Sequence, residues 1–131
     1  MALIEWNDTL SVGVTKFDNQ HKNLIKIIND LNDAMRVGKG KDVMTNILNE
    51  LINYTRFHFQ SEEEAMEAAN FPQLDDHKYE HGILTEQVME FYREFNAGKK
   101  MITIQVMQFL KDWLNKHILG SDKLYTKYLN N

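Results

Sequence analysis

Apolar side chains recur at alternating steps of three and four residues along most of the chain, which is the period of an amphipathic helix. The stripe of each helix that faces the interior of a helical bundle is called the seam here. Breaks near Gly38, Pro72 and Gly98 separate four such stripes. The pattern predicts helices over about residues 19–37, 42–69, 74–97 and 102–119.

Long helices joined by short connections pack antiparallel to their neighbours. The pattern therefore predicts an all-α fold, an up-down-up-down four-helix bundle. Residues 1–17 are predicted to form an N-terminal arm and residues 121–131 a short C-terminal segment. Asp18 is predicted to cap the first helix and Gly120 to end the fourth. Because 131 residues are the size of one domain, we expect a single domain over 1–131.

Composition and charge exclude several classes of protein. The chain has no cysteine, which excludes disulfides, thiolate nucleophiles, iron-sulfur clusters and sulfur-ligated zinc. A net charge of -4 argues against nucleic acid or anionic lipid as a partner. No apolar run reaches the roughly 18 residues of a membrane helix, and the first residues do not resemble a signal peptide. We expect no membrane insertion and a cytoplasmic location.

All of the histidines fall on seam positions, where a bundle normally places leucine or isoleucine. They are His21, His58, His77, His81 and His117. Alternating helix directions bring the starts of helices one and three and the ends of helices two and four to the same end of the bundle. Counted from the opposite end, one histidine of each helix lies 16 or 17 residues away, or about 24 Å. The histidines are therefore predicted to form one layer.

Two carboxylates complete this layer. His58 and Glu62 are four residues apart, so both point from one face of their helix, and His77 and His81 repeat that spacing. Asp122 follows closely enough after the fourth helix to fold over the same end.

Taken singly, these residues have ordinary explanations: a core or capping histidine, a solvated glutamate, a helix-capping aspartate. Together, however, unpaired polar groups in a bundle core would cost several kcal/mol. Five imidazoles and two carboxylates instead suit two metal ions bridged by the carboxylates.

The ligand types favour iron. Zinc prefers four ligands, or three and a water, whereas histidine-rich sites with carboxylate bridges and no sulfur suit a pair of iron ions. Ferritin-like di-iron proteins use Glu-x-x-His pairs, and this chain contains none. Neutral imidazoles also neutralise high-valent iron less well than carboxylates do. The site is therefore predicted to bind dioxygen without cleaving it.

The chain resembles the hemerythrin family, in particular its bacterial single-domain members. The resemblance covers nearly the whole chain. It rests on Trp6-Asn-Asp, Asp18-Asn-Gln-His21, His58-x-x-x-Glu62, His77-x-x-x-His81 and His117-x-x-x-x-Asp122.

The resemblance implies two iron ions per chain, joined by a bridging oxo or hydroxo group and by two carboxylates. One iron would be bound by His77, His81 and His117. The other would be bound by His21 and His58. The bridging carboxylates would be Glu62 and Asp122. Dioxygen would bind reversibly at the open position of the two-histidine iron.

Apolar residues within one turn of these ligands are expected to line a dry oxygen pocket, although core packing alone also explains them. They are Leu24, Phe59, Trp113, Leu114 and Ile118. Tyr125, three residues after Asp122, is predicted to hydrogen-bond a bridging carboxylate.

The sequence therefore predicts a dioxygen-binding protein that is not an enzyme and that carries, stores or delivers dioxygen, with an oxygen-consuming enzyme as its client. Two alternatives stay open. One is a di-iron oxidase or peroxidase. The other is a sensor of dioxygen, nitric oxide or redox state, which would require an output domain beyond the single predicted one.

Overall fold

The computed structural model describes residues 3–129, so residues 1, 2, 130 and 131 of the predicted arm and C-terminal segment lie outside it. Four long helices form the antiparallel bundle that the sequence predicts. They are α1 (Thr15–Arg36), α2 (Lys41–Ala68), α3 (Leu74–Asn96) and α4 (Ile104–Lys116). A short helix, α5 (Thr126–Leu129), ends the described chain. Within residues 3–129, no helix is long and apolar enough to cross a bilayer.

The connections between the helices are tight. Gly38 and Gly98 follow α1 and α3 with φ of 72° and 76°, a left-handed conformation that glycine adopts without strain and that commonly ends a helix. The end of the bundle that holds these two connections is called the far end. The opposite end is closed by the arm and by the C-terminal segment.

Asp18 has a different role from the predicted one. Helix α1 begins at Thr15, before the position predicted from the pattern, and Asp18 lies in its first turn. Its carboxylate accepts hydrogen bonds from the Val12 backbone N–H at 2.8 Å and from the Ser11 hydroxyl at 2.6 Å. Asp18 therefore fixes the arm against α1, since a first-turn carboxylate can accept from the residues that precede the helix.

Gly120 does not end the fourth helix, contrary to the prediction. Helix α4 passes directly into a π-helix over His117–Ser121 and then a 3₁₀-helix over Asp122–Tyr125. The Asp122 backbone N–H donates to the His117 carbonyl, five residues back. A π-turn is wider than an α-turn, so it places His117 and Asp122 on the same side of the backbone, facing the bundle interior.

Hydrogen bonds between side chains and backbone hold the arm and the C-terminal segment in place. Asn29 of α1 accepts from the Ile4 N–H at 2.9 Å and donates to the Ile4 carbonyl at 2.8 Å. The Thr126 hydroxyl donates to the Val12 carbonyl at 2.5 Å. The first contact holds the arm against α1, and the second joins the C-terminal segment to the arm.

Candidate metal centre

One layer of buried polar residues lies at the closed end of the bundle. The structure brings together all seven residues that the sequence nominated, each at most 4% exposed. We call this set the ligand layer, and its members are His21, His58, Glu62, His77, His81, His117 and Asp122. They come from α1, α2, α3 and the helical segment that follows α4.

Asp122 lies between two sets of imidazoles. Its Oδ1 is 3.0 Å from His77 Nε2 and 2.9 Å from His117 Nε2, while its Oδ2 is 3.0 Å from His21 Nε2. The carboxylate therefore reaches both sides of the layer, which is the geometry that a bridging ligand requires.

Glu62 has a similar position on α2. Its Oε1 is 3.2 Å from His58 Nε2 and 3.4 Å from His81 Nε2, and its Oε2 is 3.5 Å from His21 Nε2. The Tyr125 hydroxyl donates to the same Oε2 at 2.5 Å, which is the contact predicted for Tyr125. This hydrogen bond fixes the rotation of the carboxylate between the two sets of histidines.

The ligand atoms form two overlapping groups, each with its atoms within 4.8 Å of one another. The first group contains His77, His81, His117 and Asp122. The second contains His21, His58, Glu62 and Asp122. Asp122 belongs to both groups, and three histidines lie in the first group and two in the second.

The layer fits metal ions better than it fits a hydrogen-bonded core. Six of its buried polar atoms make no hydrogen bond of acceptable geometry within residues 3–129, although four of them lie within 3.5 Å of an imidazole or carboxylate partner. Four of the six face inward: His21 Nε2, His58 Nε2, Glu62 Oε1 and Asp122 Oδ2. Native cores pair almost all such atoms, and imidazole nitrogen with carboxylate oxygen is a donor set suited to iron. The unpaired atoms are therefore expected metal ligands.

The electrostatics of the layer depend on close contact between opposite charges. Burial lowers the pKa of His21, but the close contacts and charge interactions with the Asp122 and Glu62 carboxylates outweigh it and raise that pKa from 6.5 to about 9. Burial likewise raises the pKa of Glu62, but the charge of His58 and hydrogen bonds from the surrounding imidazoles hold it well below 4.5. A proton on His21 thus supplies part of the positive charge that a bound cation would otherwise provide beside the two carboxylates.

Tyr125 stays a hydrogen-bond donor in this setting. Its burial, followed by the charges of Glu62 and Asp122, raises the pKa of the phenol. The ring is enclosed by Phe17 at 5.7 Å and His77 at 5.8 Å, measured between ring centroids. The packing leaves the hydroxyl directed at Glu62.

Two polar residues that touch the ligand layer were not predicted from the sequence. The outward Nδ1–H of His58 donates to Gln20 Oε1 at 2.5 Å, and the Nδ1–H of His81 donates to Glu63 Oε2 at 2.8 Å. Each acceptor is the immediate sequence neighbour of a ligand, Gln20 of His21 and Glu63 of Glu62. Metal-bound imidazoles need an acceptor on their other nitrogen. A polar residue directly beside a ligand in the sequence was therefore the signal that could have identified both.

The predicted pocket residues have two different positions. Leu24, Trp113 and Leu114 line a small cavity of about 20 Å³ between the helices, together with six further residues. The six are Ile28, Leu51, Thr55, Leu84, Val88 and Leu110. Phe59 and Ile118 do not line it.

Phe59 instead stacks on His81 with ring centroids 3.8 Å apart and planes within 2°. Ile118 is fully buried in the hydrophobic core. The cavity itself lies one helical turn from the ligand layer, because Leu24, Thr55 and Leu114 are each three residues from a ligand histidine.

A four-helix bundle that carries two adjoining His/carboxylate groups in its interior is typical of helical metal-binding proteins. The family model described as "Hemerythrin HHE cation binding domain" matches residues 12–129. The chain therefore belongs to the hemerythrin family.

Sequence relatives support the same assignment. A bacteriohemerythrin of Stenotrophomonas maltophilia is 34% identical over 125 residues, covering 95% of this chain and 80% of that protein. A bacteriohemerythrin of Methylococcus capsulatus is 32% identical and covers 95% of both. A myohemerythrin of Theromyzon tessulatum is 30% identical, covering 92% of this chain and 89% of that protein.

Solved structures show the same architecture. Wild-type hemerythrin superposes with a TM-score of 0.95 at 31% identity, covering 99% of this chain and 100% of that one. A leucine-to-alanine mutant of hemerythrin superposes with a TM-score of 0.96 at 31% identity over the whole of both chains. The four-helix bundle is thus shared along the full described length.

Proposed function

We propose that this chain binds two iron ions in the ligand layer and binds dioxygen there reversibly, without turning it over. The observation that carries the proposal is the pair of four-residue groups that share Asp122, with the atoms of each group within 4.8 Å of one another. Paired carboxylate bridges and a majority of imidazoles favour two iron ions of low charge. Membership of the hemerythrin family supports the same conclusion.

The two groups assign different roles to the two metal positions. One position would be held by His77, His81 and His117, and the other by His21 and His58, with both carboxylates between them. The second position has fewer imidazoles and therefore has room for an added ligand. Bound iron would supply the electrons and the open coordination position that dioxygen needs, together with an oxo or hydroxo bridge.

The surrounding residues keep this position dry. The cavity of about 20 Å³ has room for about one small molecule, and Leu24 and Leu114 form part of its wall. The Tyr125 hydroxyl points at Glu62 rather than into the cavity. Exclusion of water and of free proton donors slows the loss of reduced oxygen species, which favours reversible binding over oxidase chemistry.

This function makes the chain a carrier, store or delivery protein for dioxygen rather than an enzyme. An oxygen-consuming enzyme is the expected recipient, and the cytoplasm is the expected location.

The test is an iron count followed by visible spectra of the anaerobically reduced protein before dioxygen, after dioxygen and after purging. We expect two irons per chain and a charge-transfer band that forms with dioxygen and disappears on purging. An irreversible change to the diferric spectrum, or turnover of dioxygen with an added reductant, would favour an oxidase. A purified protein that takes up no iron would contradict the proposal.

A further inference from the structure

The two halves of the ligand layer differ in the groups that hold their histidines from outside. The outward nitrogen of His58 donates to an amide oxygen, Gln20 Oε1, at 2.5 Å. The outward nitrogen of His81 donates to a carboxylate oxygen, Glu63 Oε2, at 2.8 Å. Within residues 3–129, Glu63 is the only carboxylate within 4.0 Å of an outward histidine Nδ1.

We propose that Glu63 is a positioning residue that makes the two metal positions unequal in redox preference, favouring the ferric state at the position bound by His77, His81 and His117. Gln20 gives no such bias to the position bound by His21 and His58. The proposal rests on the iron centre of the proposed function and adds which half of that centre is oxidised more readily.

The physical reason is the charge on the acceptor. A carboxylate that accepts from Nδ1–H draws the proton toward itself, so the imidazole becomes more basic at Nε2. His81 Nε2 faces inward, 3.4 Å from Glu62 Oε1, so the added electron density is directed at the metal position. A more basic ligand stabilises a more highly charged ion. The neutral amide of Gln20 polarises His58 less.

The structure holds this hydrogen bond in a fixed direction. The ring of His81 lies flat against Phe59, 3.8 Å away between centroids, which opposes rotation away from Glu63. The side chain of Glu63 is 27% exposed whereas that of Glu62 is fully buried. The carboxylate of Glu63 thus reaches solvent, which supports its charge, while it acts on a buried ligand.

The variant Glu63→Gln removes the charge and keeps an acceptor oxygen. We expect iron-loaded Glu63→Gln to retain two irons per chain and to lose ferric preference by about tenfold at one position, which corresponds to a midpoint potential higher by 59 mV for one electron. The measurement is a spectroelectrochemical titration. Glu64→Gln is the matched control, because Glu64 is exposed and bonds to Gln60 rather than to a histidine. Its potential should equal that of the parent protein.

The reciprocal variant tests the other half. Gln20→Glu gives the Nδ1–H of His58 a carboxylate acceptor. It should lower the midpoint potential of the second position by a comparable amount. An unchanged potential in Glu63→Gln with two irons bound, or an equal shift in Glu64→Gln, would overturn the proposal. Loss of iron from Glu63→Gln would also overturn it, because Glu63 would then be needed for binding rather than for redox bias.

Zinc-loaded protein separates this inference from the proposed function. In a nitrogen-edited proton spectrum, the His81 Nδ1–H signal should move upfield in Glu63→Gln and should stay in place in Glu64→Gln. No movement would refute the inference. If the parent chain binds zinc but no iron, the proposed function fails, while this spectrum still decides whether Glu63 polarises His81.

Discussion

The two ends of the bundle use the same seam for opposite purposes. In the far half, the seam carries apolar residues that are at most 9% exposed. Examples are Leu31, Leu48, Val88 and Leu110. At the closed end, equivalent positions carry the histidines of the ligand layer. One end therefore stabilises the fold by burying apolar surface, whereas the other buries polar atoms that a core normally excludes.

Packing differs between the ends as well. A partly open apolar cavity of about 230 Å³ lies between α3 and α4 in the far half, where Phe91 and Val106 form part of its wall. The cavity beside the ligand layer has only about 20 Å³. The far half thus tolerates loose packing because no ligand geometry depends on it, whereas the ligand layer requires side chains fixed to within a fraction of an ångström.

The largest expected effect follows from removing the residue that both metal groups share. Asp122→Ala should lower bound metal from two ions to fewer than one per chain, because Asp122 contacts three imidazoles of both groups. The stabilisation that metal gives to the folded state should be lost with it. Metal analysis and thermal unfolding provide the measurements. Asp112→Ala, an exposed position, is the control and should keep both ions.

The next largest effect lies in the far half. Leu31 is fully buried, so Leu31→Ala should lower the free energy of unfolding by about 4 kcal/mol. Bound metal should remain at two ions per chain, since Leu31 lies in the far half and does not belong to the ligand layer. Denaturant unfolding and metal analysis test both expectations. A loss of metal in a variant that is still folded would show that the two ends are not independent.

A third effect concerns pH in chelator-treated protein. The pKa of His21 is raised from 6.5 to about 9 in the folded state. Its contribution is therefore fully present below pH 6.5 and is lost as the pH rises through about 9. The free energy of unfolding should fall by no more than about 3 kcal/mol over that window. Protein loaded with metal should lack this loss, because the ion replaces the proton. Equal slopes with and without metal would refute the prediction.

The smallest effect belongs to Tyr125. Tyr125→Phe removes the hydrogen bond to Glu62 and should lower the free energy of unfolding of chelator-treated protein by about 2 kcal/mol, as for a bond to a charged group. Tyr79→Phe changes the same atom at a position that is 72% exposed and should have no effect. Urea unfolding of the two variants compares them directly. Equal stability would mean that the Tyr125 contact contributes nothing to the fold.

The sequence predicted the bundle because helix period, punctuation and connection length are local properties of the chain. It also predicted which residues meet in the ligand layer, because every histidine breaks an otherwise apolar seam. The tyrosine contact followed from its distance along the chain from Asp122.

Three features required the folded structure. The π-helix over His117–Ser121 depends on the balance of backbone hydrogen bonds at one turn, which no residue pattern in this segment encodes. The roles of Gln20 and Glu63 depend on rotamers, since both residues look like ordinary polar neighbours of a ligand. Phe59 was expected in the pocket, but its ring packs against His81. Stacking on the flat imidazole buries one face of each ring.

The most direct test of the central claim is anomalous diffraction at the iron edge from crystals of iron-loaded protein. Two peaks are expected within the ligand layer. One should lie among His77, His81 and His117, the other beside His21 and His58, and both should contact Glu62 and Asp122. A single peak, or iron bound only outside the layer, would contradict the claim that these seven residues form a paired metal centre.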